Sequence, residues 1–172
     1  KEVSFNNIKN TFEVGSASSV MDFMGYLSDA YLMFLVPLYD TSLKVQARNP
    51  RKIYGIDQGL VHFSSLPGSP DLGRLLENSV FLKMKREGIG IWYFRGKREC
   101  DFICRTAGGQ MQAIQVTWQV SSGNEKRETE GLLEAMNRLG LTEGTIITFD
   151  QEDLLRKEDK IIRLLPAWKR MG

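Results

Sequence analysis

The stretch ECDFICRTAGGQMQAIQVTWQV, Glu99 to Val120, reads as two strands around a Gly-Gly turn, each with polar residues on one face. Side chains alternate across a strand, so Glu99, Asp101 and Ile103 share one face of the first, and Ala113, Gln115 and Thr117 one face of the second. If the two pair as a hairpin, Asp101 and Gln115 meet on the sheet. A further carboxylate, Glu77, lies in DLGRLLENSVFLKMKREG. At the helical step it falls beside Val80, Phe81 and Met84, on the apolar side, where a carboxylate needs a reason. Glu77, Asp101 and the Gln115 carbonyl are oxygen donors of the kind a hard divalent cation takes. Such a face is a metal-dependent phosphodiester site, the remains of one, or only the wet side of a sheet.

Other reactive types offer less. His62 is the single histidine and has no Ser, Cys or Asp partner in a motif, so it reads as a loop or packing residue. Asn78 reads as a helix-surface residue, and Trp92, Trp118 and Trp168 as core. Cys100 and Cys104, four residues apart on one strand, would be separated by about 13 Å. That is too far for a disulfide, and two cysteines without a nearby histidine make a poor zinc site. Burial beside Phe102 accounts for both and implies a reducing, cytoplasmic setting. Basic residues gather at Lys44, Arg48, Arg51 and Lys52, at Lys83, Lys85 and Arg86, and at Arg95, Lys97 and Arg98. Lys44, Arg51, Lys52, Lys97 and Arg98 are the candidates for contacting DNA phosphates.

The elements that would hold these groups follow from periodicity and punctuation. Ser4 caps a short helix with Phe5, Ile8 and Phe12 on one face, ended by Gly15. Ser19, with Asp22 three residues on, reads as the capping box of a second helix. A strand over Tyr31 to Tyr39 follows, then an extended LKVQARNPRKIYGID with a turn at Asn49-Pro50. Helix, helix and strand pair is a winged-helix-like layout, expected over residues 1–65. SSLPGSPDLG separates it from residues 66–172. There the strong helix ending at Gly88 is followed by strands at GIWYFRGK, ECDFICRT and QMQAIQVTWQV, and by a helix from about Glu125 to Leu139 capped by Gly140. Strands GTIITFD and KIIRLLP come last, leading into the tail AWKRMG. Helix, three strands, helix and strand predict an α/β (α+β) domain with a mixed sheet flanked by helices.

At 172 residues and 42% hydrophobic, the chain can bury a real core, and a net charge of +2 leaves the partner open. YLMFLVPLY is the longest apolar run, is interrupted by Pro37, and falls short of the roughly 18 residues that a membrane span needs. There is no signal peptide pattern. The opening on Lys1 suggests a piece of a longer protein.

Several spaced motifs, NPRKIYGIDQGL, GRLLENSVFLKMKREG, YFRGKRECDFICR, AIQVTWQV, GLTEGTIITFD and LLPAWKRM, resemble the C-terminal domain of unknown function that follows the ATPase core in a family of archaeal and bacterial AAA-type ATPases. The resemblance runs from about Ser4 to the end. It implies a restriction-endonuclease-like fold, in which a helix Glu, a strand Asp and a Glu-x-Lys on the next strand form the active site. Glu77 then matches the helix acid and Asp101 the strand acid, together holding Mg2+ as the cofactor of an active site. Gln115 stands at the Glu position and Thr117 at the Lys position, so two of the four depart from the pattern. One lost catalytic cation of this kind costs about 10²- to 10³-fold in rate. No Gly-x-x-x-x-Gly-Lys-Ser/Thr occurs, so ATP would bind only through an ATPase domain outside these residues. The expectation is a catalytically degenerate accessory module that binds DNA or a protein partner. The alternatives are a metal-dependent DNA endonuclease using Glu77 and Asp101, or an oligomerisation or protein-interaction module.

Overall fold

The computed structural model describes residues 2–63 and 71–171. The chain divides into two compact units, Lys1–Leu66 and Pro67–Gly172. Most of the Pro/Gly/Ser stretch expected to separate the two parts lies outside the described residues.

In the first unit, strand β1 (Glu2–Val3) leads into helices α1 (Phe5–Thr11) and α2 (Ala17–Asp29), followed by β2 (Met33–Val36), α3 (Leu43–Arg48), β3 (Arg51–Gly55) and α4 (Gln58–Phe63). The strands form an antiparallel sheet in the order β1-β3-β2. Three serines open three of its four described helices. Ser4, Ser16 and Ser42 each accept a backbone N–H three residues on, from Asn7, Ser19 and Val45. Such caps satisfy one of the orphan donors of a first turn. Helix α2 therefore begins three residues before the capping box expected at Ser19. LKVQAR, read as extended, is α3. Its period-two alternation misleads because Leu43, Val45 and Ala47 are all exposed and bury nothing. Pro50 holds Asn49 extended and ends the helix.

The second unit carries α5 (Leu72–Arg86), β4 (Gly90–Arg95), β5 (Glu99–Arg105), β6 (Met111–Val116), α6 (Glu125–Leu139), β7 (Glu143–Thr148), β8 (Asp153–Lys157), β9 (Lys160–Pro166) and α7 (Ala167–Met171). Its six-stranded mixed sheet has the order β4-β5-β6-β7-β9-β8. β4, β5 and β6 form an antiparallel meander, and β6–β7 and β7–β9 are parallel. The expected helix, three strands, helix and strand are all present. The tail AWKRM is helical, and Trp168, expected in the core, is 64% exposed.

Both long helices end as their sequences dictate. Ile89 N–H donates to Met84 O and Gly88 N–H to Lys85 O, the paired bonds of a Schellman motif, with Gly88 at φ 69°. Gly140, at φ 68°, ends α6, and the buried Lys160 donates from Nζ to Leu141 O just beyond. α5 covers one sheet face, where Phe81 stacks on Phe102 and the thiol of Cys104 donates to Met84 Sδ. Cys100 and Cys104 form no disulfide and are both buried, and burial pushes the Cys104 thiol up to about 12. α6 covers the other face, with Leu132, Ala135 and Met136 buried.

The C-terminal helix is tied to α5 by a two-pronged ion pair, in which Arg170 Nη1 and Nη2 donate to Glu87 Oε1 and Oε2 at 2.8 and 2.6 Å. The hydrogen bond from Arg170 holds the Glu87 carboxyl below the ordinary glutamate range. Because the folded value is the lower one, the stabilisation is complete above the unfolded pKa, near about 4.3, and is lost as pH falls on through the folded value. Both groups are part-exposed, so the pair is worth only about 0.2–1 kcal/mol. Melting curves of the wild type and Glu87→Gln should therefore differ slightly at pH 7, and the difference should shrink as pH falls below the unfolded value and on through the folded one.

Candidate functional site

The β5–β6 ladder runs from Arg105↔Met111 to Phe102↔Ile114 and stops there. One step further, side chains take over from the backbone. Asp101 Oδ2 accepts the N–H of Val116 at 2.9 Å, and Gln115 Oε1 accepts the N–H of Asp101 at 3.1 Å. β6 continues along β7 alone, with Gln115↔Ile146 and Val116↔Ile147 paired and Thr117 N–H donating to Ile147 O. The two strands thus part at Asp101 and Gln115, and the two polar side chains fill the place of ladder carbonyls. Asp101 is 7% exposed, so an N–H left without this acceptor would be buried and costly.

The network continues onto α6. Gln115 Nε2 donates to Glu128 Oε2 at 3.0 Å, and Arg127 Nε donates to Glu128 Oε1 at 3.0 Å. Glu128 is buried, whereas Arg127 reaches solvent. The hydrogen bond and charge of Glu128 raise the Arg127 guanidinium above its ordinary value.

A cleft of about 400 Å3 opens where the strands part, and Glu77, Asp101, Gln115 and Thr117 all line it. The structure thus gathers the four expected residues at one place. The helix over the Asp101 and Gln115 face is α6, not the α5 that carries Glu77. Glu77 reaches the cleft from the first turns of α5, beside Asp71 and Arg74. Asn78, read as a surface residue, is buried. Thr117 brings no cation: its hydroxyl donates to Gln119 O at 3.4 Å.

Three arginines line the cleft, and each has a carboxylate beside it. Arg74 Nε lies 3.2 Å from Asp71, Arg98 Nε donates to Glu130 at 3.0 Å, and Arg127 is held by Glu128. The backbone N–H groups of Lys97 and Arg98 both donate to Glu134 Oε2, fixing the β4–β5 turn against α6. Of the other expected phosphate contacts, Lys44 is exposed on α3, Arg51 is half-buried and Lys52 is buried in β3, all in the first unit. A buried lysine does not present its ammonium to a DNA backbone, and Lys52 is in that position.

Mg2+ asks for a near-octahedral set of oxygens. Here Asp101 Oδ2 and the Gln115 carbonyl accept backbone N–H groups, and both Glu128 oxygens accept from side chains. Among the described residues no group of three or more His, Cys, Asp or Glu side chains converges as a metal site. Asp101 Oδ2 and the Gln115 carbonyl are thus already engaged by the backbone.

Glu128 is the site residue that sequence reasoning missed. It lies one helical turn before Leu132, on the inward stripe of α6, and the argument that singled out Glu77 applies to it equally.

Among the described residues no helix is long and apolar enough to cross a membrane. No family model matches the chain, and no solved structure matches it. The chain is similar to an uncharacterized protein, MJ1544, of Methanocaldococcus jannaschii, at 33% identity over 183 aligned positions. The match takes in 98% of this chain but 40% of that protein.

Proposed function

We propose that the chain works as one part of a longer polypeptide, as the accessory C-terminal module of an AAA-type ATPase. Its second unit would be a catalytically degenerate, restriction-endonuclease-like module that binds DNA or a protein partner in a cytoplasmic setting. ATP would be handled by an ATPase domain outside these residues. The observation that carries the reading is the closed hydrogen-bond set at the parting strands. Asp101 and Gln115 hold β5 to β6, and Gln115 holds α6 through Glu128, so the polar groups of the cleft serve as scaffold. The alternative, a Mg2+-dependent endonuclease using Glu77 and Asp101, would need the Asp101 carboxylate for the ion as well.

A labelled panel of single-stranded, duplex and branched DNA tests this, with Mg2+ or Mn2+, beside Asp101→Ala. The expected result is no cleavage above that variant, with binding that weakens steeply with salt. Three to five phosphate contacts would give a log–log slope of about −3 to −5. Lys97→Ala should lower that slope by about 1 if the β4–β5 turn touches a phosphate. Cleavage abolished by Asp101→Ala would make the protein a nuclease.

The protein-partner reading is favoured by a separate observation. In the first unit Phe12, Phe23, Tyr26 and Tyr31 are each more than half exposed, and three of these four belong to α2 or the turn after it. Exposed aromatics at that density mark contact surfaces. Neither cleavage nor salt-sensitive DNA binding would leave this reading standing.

A further inference from the structure

We propose that the outer edge of β8 is a self-complementary dimerisation edge. Two copies of this chain would pair β8 with β8 antiparallel about a twofold axis at Leu155, joining their two six-stranded sheets into one.

β8 ends the sheet, with β9 on its inner side and no strand among the described residues on its outer side. The direction of its backbone groups follows from its neighbour. Ile161 N–H donates to Thr142 O, toward β7, so the alternate residues Lys160, Ile162 and Leu164 turn toward β8. Their partners are Lys157, Leu155 and Asp153. That leaves the N–H and C=O of Leu154 and Arg156 pointing outward. The Leu154 N–H is met at 2.7 Å by its own neighbour, Asp153 Oδ1, a local stand-in for a strand acceptor.

The sequence of the edge, Asp-Leu-Leu-Arg-Lys, is complementary to its own reverse. Centred on Leu155, antiparallel pairing sets Leu154 opposite Arg156 of the second copy, the pair whose backbone groups face outward on both strands. The two Leu155 side chains meet across the axis. Asp153 comes opposite Lys157 of the second copy, and by symmetry this happens twice. Those pairs are of the non-hydrogen-bonded kind, in which side chains lie closest. Lys157 already holds Glu125 of α6 at 2.6 Å and would bridge two carboxylates in the dimer.

The opposite edge makes the contrast. β4 carries a register shift between Trp92 and Phe94, the irregularity by which sheet edges are commonly blunted. β8 is regular over all five residues and holds no proline. Its charges repel most incoming strands, yet they match a second copy of themselves.

Sedimentation velocity of the 172-residue chain over a concentration series tests the proposal, and a reversible dimer is expected. Arg156→Pro removes an outward N–H that the β9 ladder does not use, so circular dichroism, and melting at concentrations where the chain is monomeric, should be unchanged. The dimer should weaken by about tenfold or more. Asp153→Lys sets like charges opposite each other at both ends and should weaken it similarly. The double variant Asp153→Lys/Lys157→Asp re-pairs the charges across the axis and should restore part of it, less than fully because it also removes the Lys157 bond to Glu125. A dimer tighter than that of Asp153→Lys alone carries the decision if Arg156→Pro disturbs folding. A monomer at every concentration, or a dimer that neither Arg156→Pro nor Asp153→Lys weakens, overturns the proposal.

Discussion

Gly131→Ala is expected to be the most damaging single-methyl change in the second unit. Gly131 sits where α6 lies directly on the first residue of β5, and a Cβ there would stand 1.9 Å from Glu99 O and 2.7 Å from Glu99 C. Both obstacles are backbone, so no side chain can swing aside. Gly144 makes the comparison: a Cβ there would meet Met136 Sδ at 2.6 Å, the flexible part of a thioether, which can shift. Alanine favours a helix over glycine by about 1 kcal/mol, but overpacking of this kind costs about 1–3 kcal/mol and sometimes more. With backbone on both sides the upper end applies, and a net loss of about 2 kcal/mol is expected. For a domain of this size that lowers the melting temperature by about 8–16 °C. Glu128 lies less than one turn before Gly131, so lifting α6 also breaks its bond to Gln115. A thermal melt within about 2 °C of wild type would contradict the close packing of α6 on β5.

Asp101→Ala should come next, and the comparison with Asp101→Asn carries the information. Alanine leaves the Val116 N–H buried without its Asp101 acceptor, a loss of about 1–3 kcal/mol. Asparagine keeps an acceptor oxygen at the same place and loses only the charge. If Asp101 holds the strands together, denaturant midpoints should drop strongly for Asp101→Ala and little for Asp101→Asn. If Asp101 is instead a working metal ligand, both variants should abolish cleavage regardless of stability. Equal destabilisation by the two would mean that the charge, not the hydrogen bond, is what β6 needs.

Much of this fold was legible because local signals agreed with one another. α6 runs over the expected Glu125 to Leu139 because a strong apolar stripe is closed by a glycine in the left-handed region. The meander was readable from alternation and a Gly-Gly turn. β8 was not, since DLLRK has two adjacent leucines among charges and gains its strand identity from pairing with β9 alone. LKVQAR failed the other way, a strand-like pattern whose apolar residues face solvent. At the candidate site, Asp101 and Gln115 were placed together correctly from strand register. What sequence could not give was which helix covers them. Periodicity assigns an apolar face to α5 and to α6, but which side of the sheet each helix takes is decided by the tertiary crossover. Arg127 and Glu128 therefore entered the cleft unannounced.

The strand order has a consequence for synthesis. β9 lies between β7 and β8 although it follows both in the chain. The meander β4–β5–β6 can close on itself as each strand leaves the ribosome, and β7 can join it across α6. The far edge of β7 then waits, its backbone groups unpaired, until the chain through Pro166 has emerged. At about 5–20 residues per second, the residues between Thr148 and Pro166 take on the order of 1–4 s. During that interval an apolar strand, with Ile146 and Ile147 at its centre, is an open template for any neighbouring nascent chain.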